Sequence, residues 1–424
     1  MTTKQELTDS IRSAEPVAQR AAGAGGREDE KPPGVLNRML ALEDFEEEAR
    51  RYLPRPIFGF VSGGVESNVS RHNNRAVFDE IALVPRMLVD TSARSQKTTL
   101  FGRTYDAPFG IAPMGATAMV AYRGDVVLAR AAAEANLPMI MSGSSLMRLE
   151  EVREAGPTAW FQAYLPGDDD RITELVEKAA RGGFDTLVLT ADGQVPGNRE
   201  NNVRSGFSTP LRPSPRLAWD GIIRPRWTVG MFLRTLLLHG MPHFENMGAR
   251  VPVLTASTKR ERGRRDKLSW KHVELMRRMW KGRFLVKGIL DRDDARIARE
   301  SGVDGVIVSN HGGRNLDGAV APLRVLPGIV QAAGGMTVIM DSGIRRGTDV
   351  LKALALGANF VFVGRPILYA AAIAGAPGVH HAIKLLKDEI DRDMALMGIT
   401  SLAEMRPERL MPARGADFLP GPKQ

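Results

Sequence analysis

The sequence predicts a (β/α)8 barrel with a long insertion between its fourth and fifth strands. Three observations support this fold: eight short apolar runs, helix-like segments in the gaps between them, and polar or glycine residues where the runs end. Continuous apolar strands that alternate with helices are typical of a parallel sheet covered on both faces. In a barrel of this kind the active site forms at the carboxyl ends of the strands.

The predicted strands are rich in Val, Ile, Leu or Phe, and most end in Gly, Ser, Asp or Gln. In chain order they are 108–115, 138–143, 159–165, 186–192, 283–290, 305–308, 337–344 and 360–366. Helix-like segments between them include 125–135, 170–181, 291–300 and 348–356. A doubly wound open sheet is the alternative, but polar residues follow nearly all eight strands, which favours the closed barrel.

The 424 residues are enough for one barrel with extensions. We expect residues 1–35 to be a disordered extension, because they are polar and rich in Ala and Gly and lack the apolar core of a signal peptide. Residues 36–395 then form the barrel, with 204–267 as a basic inserted loop, and 396–424 form a tail. No apolar run is long enough to span a bilayer.

The chain has no cysteine, which excludes disulfides, thiolate nucleophiles and cysteine-bound metals. This composition fits a reducing compartment, so we expect the cytoplasm. No metal site is predicted.

The net charge of +9 is concentrated in one segment. Residues 204–267 hold 13 lysines and arginines against four acidic residues, an excess equal to that of the whole chain. The segment also contains Trp219, Trp227, Phe232 and the run 236–238 of leucines. Basic residues among Trp, Phe and Leu are typical of segments that bind a membrane surface. A lid or a subunit contact is the alternative, and nucleic acid is disfavoured because no binding motif accompanies the charge.

The sequence SNHGGRNLD at 309–317 is the strongest motif, and it follows the predicted strand 305–308. His311 is able to take a proton near neutral pH, and Arg314 is able to hold a carboxylate through two parallel hydrogen bonds. The pair indicates proton abstraction from a substrate that carries a carboxylate. On spacing alone, a glycine-rich turn with a solvated His and Arg remains an alternative.

This motif resembles the signature of the FMN-dependent α-hydroxy acid dehydrogenases and oxidases, a family with flavin-using lactate dehydrogenases, mandelate dehydrogenase and glycolate oxidase. The resemblance extends over about residues 40–395, with further motifs in family order. It implies His311 as the active-site base, Asp192 as its carboxylate partner, and Arg314 as the primary clamp for the substrate carboxylate. It implies that Arg199 and Tyr164 also contact the substrate.

The resemblance also implies FMN as the cofactor. Lys287 matches a lysine near flavin N1 and O2, where a cation stabilises the anionic reduced ring. The positions implied for the isoalloxazine ring are Pro113, Gly115, Ser142, Gln162, Thr190 and Ser309. The positions implied for the ribityl chain and phosphate are Asp341, Gly343, Arg345, Gly364 and Arg365.

Three positions depart from the family pattern. Phe60 stands where the family usually has a tyrosine that contacts the substrate carboxylate, Ser342 replaces a glycine after Asp341, and Met114 replaces a hydroxyl residue after Pro113. Phe60 therefore puts the usual pose of small substrates in question.

The sequence and the resemblance together predict an enzyme that oxidises a 2-hydroxy acid to a 2-oxo acid. The basic insertion favours a membrane quinone as electron acceptor and a peripheral location on the inner face of the cell membrane. We further expect a homo-oligomer, with a tetramer as its form. The alternatives are an oxidase that uses O₂, a flavin-binding protein without turnover, and a redox-neutral FMN isomerase, against which the His, Arg and Asp set argues.

Overall fold

A computed structural model describes residues 33–246, 250–255 and 265–413. The described residues from Val35 onward belong to one compact unit. All eight predicted strands are present and parallel. They are β1 (Phe109–Ile111), β2 (Ile140–Ser142), β3 (Trp160–Ala163), β4 (Thr186–Thr190), β5 (Arg283–Ile289), β6 (Gly305–Val308), β7 (Thr337–Met340) and β8 (Phe360–Val363).

The sheet closes on itself, which confirms the barrel and excludes the open doubly wound sheet. Hydrogen-bonded neighbours run in the order β1, β8, β7, β6, β5, β4, β3, β2. A parallel bridge pairs Ile111 of β1 with Met139, directly before β2. The backbone N–H of Ile111 donates to the carbonyl of Pro138 at 2.9 Å. The two edges of the sheet therefore meet, and no open edge is left for a ligand crevice.

The strands are apolar on both faces because each face packs against a different layer. In β4, Val188 packs in the barrel interior, whereas Leu187 and Leu189 belong to the core between strands and helices. This alternation follows from the two-residue period of a strand. The interior is filled mainly by large side chains: Ile140, Trp160, Val188, Leu285, Ile307, Ile339, Phe360 and Phe362.

Eight helices cover the barrel. They are α1 (Gly124–Glu134), α2 (Leu149–Ala155), α3 (Asp169–Arg181), α4 (Trp270–Met279), α5 (Arg292–Glu300), α6 (Pro322–Ala333), α7 (Gly347–Ala355) and α8 (Arg365–Met397). The four helix-like segments of the sequence match α1, α3, α5 and α7. α8 is broken at Ala374 and Gly375, where Gly375 has a φ of 58°. Glycine adopts this left-handed conformation without the steric cost of a Cβ.

The segments before β1 and after α8 form helices and short strands that the sequence did not predict. Three helices precede it: Asp44–Tyr52, Arg55–Ser62 and Val69–Asp79. A hairpin of Thr98–Leu100 and Arg103–Tyr105 contributes Leu100 and Tyr105 to the interior core. Leu410–Pro412, within the predicted tail, pairs antiparallel with Ile81–Leu83. Residues 1–32 and 414–424 lie outside the described residues.

The predicted loop 204–267 is largely helical where it is described. Its elements are Glu200–Ser205, Pro215–Ile222, Pro225–Trp227, a π-helix Thr228–Leu233, Arg234–His239 and a strand pair His243–Phe244 with Val251–Pro252. Residues 247–249 and 256–264 lie outside the described residues. Of the helices in the described ranges, none has the length and apolar character needed to cross a membrane.

Candidate active site

A cavity of about 280 Å³ lies at the carboxyl ends of the strands and is lined by most of the predicted site residues. They are Phe60, Pro113, Gly115, Tyr164, Thr190, Arg199, Lys287, His311, Arg314, Asp341, Gly343, Arg345, Gly364 and Arg365. The other four, Ser142, Gln162, Asp192 and Ser309, lie outside the cavity lining. All four hydrogen-bond to a residue that lines the cavity or to each other, so they support the site instead of forming its surface.

The turn after β6 places His311 at the cavity. His311 adopts a left-handed backbone conformation, with a φ of 59°. This conformation is uncommon for residues other than glycine, and it is held here because the His311 N–H donates to Ser309 Oγ at 3.0 Å. Gly312 and Gly313 continue the turn with φ values of 67° and 72°. A Cβ on Gly313 would lie 2.5 Å from the backbone of Arg71, so only glycine fits.

His311 lies between a carboxylate and a phenol. Its Nδ1 is 2.9 Å from Asp192 Oδ1, and its Nε2 is 3.2 Å from the hydroxyl of Tyr164. Asp192 follows β4 and Tyr164 follows β3, so three strand ends meet at this imidazole. Because an ionised carboxylate only accepts hydrogen bonds, Nδ1 carries the proton and donates to Asp192. Nε2 is then an acceptor that faces the cavity.

The electrostatics of the trio favour this protonation state. Burial lowers the pKa of His311 below its ordinary value of 6.5, although the charge of Asp192 acts to raise it. Burial opposes ionisation of Asp192, yet attraction and hydrogen bonding to His311, together with Lys287, hold the pKa of Asp192 below its ordinary value. Burial and then Asp192 raise the pKa of the Tyr164 phenol. A neutral imidazole, an ionised carboxylate and a protonated phenol therefore coexist at neutral pH.

Arg314 lies across the cavity and is held by the chain that follows the second N-terminal helix. Its guanidinium donates to the carbonyls of Val61 at 3.1 Å and Gly63 at 2.7 Å. Burial, and then repulsion from Arg199 and Arg365, lower the pKa of Arg314 well below its usual range. An anion bound here reverses that effect, because it stabilises the charged guanidinium. The cluster is therefore suited to a carboxylate.

Arg199 and Arg365 reach the same loop as Arg314. Arg199 donates to the Arg314 carbonyl at 3.1 Å and to Asn315 Oδ1 at 3.2 Å. Arg365 donates to the Gly312 carbonyl at 2.9 Å, and burial lowers its pKa to about 10. The structure thus brings all four arginines predicted for anion binding, with Arg345 as the fourth, into the lining of one cavity.

Lys287 is a buried cation with two partners. Its Nζ lies 2.6 Å from Ser309 Oγ and 2.9 Å from Asp341 Oδ2. Burial opposes its charged form, but attraction to Asp341 and then Asp192 raises its pKa above the ordinary value. A lysine within a buried strand is costly unless it is paired in this way. Lys287 therefore presents a permanent positive charge to the cavity.

The residues predicted to hold FMN fit that cofactor. Within the described ranges, the buried polar atoms near the cavity that have no hydrogen-bond partner include Gln162 Nε2 and Thr190 Oγ1. Unpaired buried polar atoms are rare in folded proteins unless a ligand satisfies them. Gln162 accepts from Ser142 Oγ at 3.0 Å, which directs its amide N–H groups away from that hydroxyl. Half-buried Arg345, whose pKa is lowered by desolvation, suits a phosphate in the cavity that it lines together with Gly364.

The three departures from the family pattern are all at the cavity. Ser342 keeps a left-handed φ of 77°, the conformation that a glycine would adopt. Its hydroxyl offsets that strain, since it donates to Asp341 Oδ1 at 2.9 Å and accepts from the Gly312 N–H at 3.0 Å. Met114 lines the cavity. Phe60 lies 4.3 Å from the Phe207 ring, centroid to centroid, and 5.2 Å from the Arg314 guanidinium carbon.

Four further residues contribute to the site and were not predicted from the sequence. Phe207 stacks on Phe60, and Asn315 donates to the Asp192 carbonyl at 2.6 Å. Arg265 lies over the Tyr164 ring at 4.6 Å, and Met119 lines the cavity. Asn315 is inside the 309–317 motif, so its place there was an available signal. Phe207, Arg265 and Met119 belong to loops whose long-range contacts leave no sequence pattern.

The fold and the cavity together define an enzyme of the (β/α)8-barrel class, with a neutral base and an anion-binding wall at the carboxyl ends of its strands. Comparison with known proteins identifies the family. The family model of the FMN-dependent dehydrogenases matches residues 49–412. The chain belongs to the FMN-dependent dehydrogenase family, and FMN is its cofactor.

Three relatives illustrate the similarity. The L-lactate dehydrogenase of Caulobacter sp. (strain K31) is 39% identical over 382 residues, which cover 87% of this chain and 97% of the relative. The (S)-mandelate dehydrogenase of Pseudomonas putida is 36% identical over 378 residues, or 88% of this chain and 94% of the relative. A crystal structure of the monotopic membrane protein (S)-mandelate dehydrogenase superposes with a TM-score of 0.81 at 34% identity, covering 89% of this chain and 100% of that one.

Proposed function

We propose that this enzyme oxidises a 2-hydroxy acid to the 2-oxo acid with FMN and passes the electrons to a membrane quinone. The observation that carries the proposal is the imidazole of His311, oriented by Asp192, in a cavity that Arg199, Arg314 and Arg365 also line. Family membership and the names of the relatives, lactate and mandelate dehydrogenases, support the substrate class. Anaerobic reduction of the bound flavin by a panel of 2-hydroxy acids tests it.

The arginine wall positions the substrate. Arg314 binds the carboxylate, and Arg199 assists from the neighbouring turn, because both guanidinium groups belong to the same cavity wall. Two parallel hydrogen bonds from a planar guanidinium fix the orientation of a carboxylate as well as its position. The 2-hydroxyl is then directed to the side of the cavity where Tyr164 and His311 lie.

His311 acts as the general base. Nε2 takes the proton that the substrate loses, and the ionised Asp192 stabilises the imidazolium that results, as an orienting carboxylate does in other base-assisted enzymes. Bound FMN supplies the acceptor for the two electrons. Lys287 would supply a fixed positive charge to that cofactor, and the protonated hydroxyl of Tyr164 is able to donate a hydrogen bond to the substrate.

The pH dependence follows from the lowered pKa of His311. The base is active when neutral, so kcat/KM for flavin reduction should fall as the pH falls through the pKa of His311, and this acid limb should lie below pH 6.5. Between that limb and neutral pH the rate should be flat. A stopped-flow pH profile of flavin reduction checks this. An acid limb centred above pH 6.5 would show that Asp192 raises the pKa of His311 more than burial lowers it.

Phe60 controls the apolar side of the substrate site. We expect Phe60→Tyr to lower the KM for small substrates such as lactate or glycolate about tenfold, because a hydroxyl at this position adds a hydrogen bond to a charged carboxylate. Steady-state kinetics with both acids measure the effect, and Phe101→Tyr, at the amino end of the barrel beside Trp160, is the matched control. A rise in KM would instead show that Phe60 packs an aryl or branched group of the natural substrate.

The insertion presents an exposed apolar surface, which we call the docking face. It consists of Trp219, Ile222, Val229, Leu233, Leu237 and Leu238. Trp219 is 61% exposed and Leu237 is 84% exposed. Arg212, Arg216 and Arg226, in the same segment of the chain, are exposed as well. An exposed apolar face in a segment with exposed arginines is complementary to an anionic lipid bilayer.

Membrane docking supports the choice of a lipid-soluble quinone as the electron acceptor. The solved (S)-mandelate dehydrogenase to which this chain is similar is described as a monotopic membrane protein. The absence of cysteine fits the reducing side of the membrane, so we place the enzyme on the inner face of the cell membrane. The homo-oligomer, with a tetramer as its form, stays a prediction.

We expect the protein to sediment with anionic vesicles at low salt and less at high salt, because the arginines contribute a screened attraction. The double variant Leu237→Ser/Leu238→Ser should weaken binding at least about tenfold, since each leucine buries apolar area in the bilayer. Leu396→Ser is the matched control, an exposed leucine of α8. Failure of the unaltered protein to bind vesicles at low salt would assign the face to a lid or a subunit contact.

A further inference from the structure

The helical segment 225–239 has two opposite faces. One face is buried against the protein and comprises Trp227, Met231 and Thr235. The other is exposed and comprises Val229, Leu233 and Leu237, which belong to the docking face. The two sets are offset by two residues, about half a helical turn. A surface that binds the exposed face therefore acts on the segment that holds the buried face in place.

The buried face contacts the loop between β1 and α1, residues 112–123, which we call the β1–α1 loop. The indole N–H of Trp227 donates to the carbonyl of Met119 at 3.1 Å. The hydroxyl of Tyr122 lies 2.8 Å from His239 Nε2. The guanidinium of Arg234 lies over the Tyr122 ring at 4.1 Å, a cation–π distance. Three contacts thus join the two segments along the length of the helix.

The β1–α1 loop is also a wall of the active-site cavity. Its residues Pro113, Met114, Gly115, Ala116 and Met119 line that cavity. On its inner side the loop is fixed, because the Ala116 N–H donates to the Ser144 carbonyl at 3.0 Å and the Thr117 hydroxyl donates to buried Asp125 at 2.5 Å. Met119 lies between these two hydrogen bonds and Trp227. The position of the cavity wall at Met119 therefore depends on both.

We infer that Trp227 is a positioning residue for the substrate, and that lipid bound to the docking face sets substrate affinity through it. This inference rests on the proposed membrane docking and on the proposed oxidation of a 2-hydroxy acid. A bilayer that binds segment 225–239 holds this segment in place and so preserves the hydrogen bond from Trp227 to the Met119 carbonyl. The cavity wall at Met119 then stays closed around the substrate. Coupling between two binding sites is reciprocal, so substrate should also strengthen vesicle binding.

The experiment tests the hydrogen bond of the Trp227 indole separately from the packing of its ring. Trp227→Phe retains an aromatic ring beside Phe232 but removes the N–H donor. Trp280→Phe is the matched control, because Trp280 is also buried and donates to the Arg283 carbonyl at 2.8 Å, beside the start of β5. Flavin reduction by a 2-hydroxy acid is measured for both variants and the unaltered protein, with and without anionic vesicles, to give KM and kcat separately.

The expected result is a KM about fivefold higher for Trp227→Phe in solution, the effect of losing one buried hydrogen bond, with kcat retained. Vesicles should lower the KM of the unaltered protein and of Trp280→Phe, but not that of Trp227→Phe, although all three bind them. Tyr122→Phe loses the hydrogen bond to His239, and vesicles should lower its KM less than they lower the KM of the unaltered protein. This variant replaces Trp227→Phe in the test if Trp227→Phe does not fold.

Two results overturn the inference, and they differ from failure of the proposed function. Equal KM values for Trp227→Phe and Trp280→Phe in solution would show that the Met119 wall does not depend on Trp227. A KM that responds to vesicles equally in all three proteins would show that lipid does not act through Trp227. If the unaltered protein binds no vesicles, the lipid part of the inference fails together with membrane docking, while the solution KM values still decide the role of Trp227.

Discussion

Replacing His311 with Gln should leave FMN bound and slow its reduction by a 2-hydroxy acid about 10²–10⁴-fold, the usual loss when a general base is removed. The side chain of Gln is able to keep a hydrogen bond to Asp192, but it takes no proton at neutral pH. The bound-flavin spectrum should stay unchanged, because the hydrogen bonds of His311 and Lys287 meet at Ser309 Oγ, and the replacement leaves that contact of Lys287 in place. Single-turnover reduction in a stopped-flow instrument measures the rate directly.

His380→Gln provides the control for this variant. His380 pairs with Glu134 at 2.8 Å on the surface, away from the cavity, so its replacement should retain the full rate. If His311→Gln reduced its flavin at nearly the normal rate, His311 would not be the base. Tyr164 would then be the next residue to test, since its hydroxyl is the nearest proton-carrying neighbour of the imidazole.

Replacing Arg314 with Lys should raise the KM for a 2-hydroxy acid about 10- to 150-fold, which is the loss of one hydrogen bond to a charged group expressed as a change in affinity. Lysine retains the positive charge but lacks the planar fork that binds both oxygens of a carboxylate. It also loses the hydrogen bonds of Arg314 to the carbonyls of Val61 and Gly63, which hold the guanidinium in place. Flavin reduction as a function of substrate concentration measures this effect.

The comparison for Arg314→Lys is Arg199→Lys. Arg199 is tied to the same turn through the Arg314 carbonyl and Asn315, so its loss should raise KM less. An unchanged saturation curve for Arg314→Lys, together with a large effect of Arg199→Lys, would place the substrate carboxylate on Arg199.

Sequence pattern was sufficient for the barrel because a strand buried on both faces leaves a continuous apolar run. The pairing of His311 with Asp192 was implied by the family resemblance, and barrel geometry accounts for it, since both residues follow strands and the strand ends of a barrel meet at one face. In the structure the two side chains are 2.9 Å apart, although the residues are 119 positions apart in sequence. Lys287, Ser309 and Asp341 form a second such group, from β5, β6 and β7.

Contacts between segments outside the barrel strands could not be predicted from the sequence. The stacking of Phe207 on Phe60 and the hydrogen bond from Trp227 to Met119 each depend on how chain segments far apart in sequence pack. The insertion was predicted as a basic loop, and its described part contains several short helices between residues 215 and 239. Its composition revealed its charge and apolar content but not that Val229, Leu233 and Leu237 share an exposed face.

The most direct test of the proposed function is anaerobic mixing of the FMN-loaded protein with a panel of 2-hydroxy acids, followed by a short-chain quinone. The flavin absorbance should bleach with at least one acid, the matching 2-oxo acid should form in equal amount, and the quinone should restore the absorbance. Bleaching that only oxygen reverses, with release of hydrogen peroxide, would contradict the quinone as acceptor. No bleaching by any 2-hydroxy acid, from flavin that is demonstrably bound, would contradict the proposed oxidation itself.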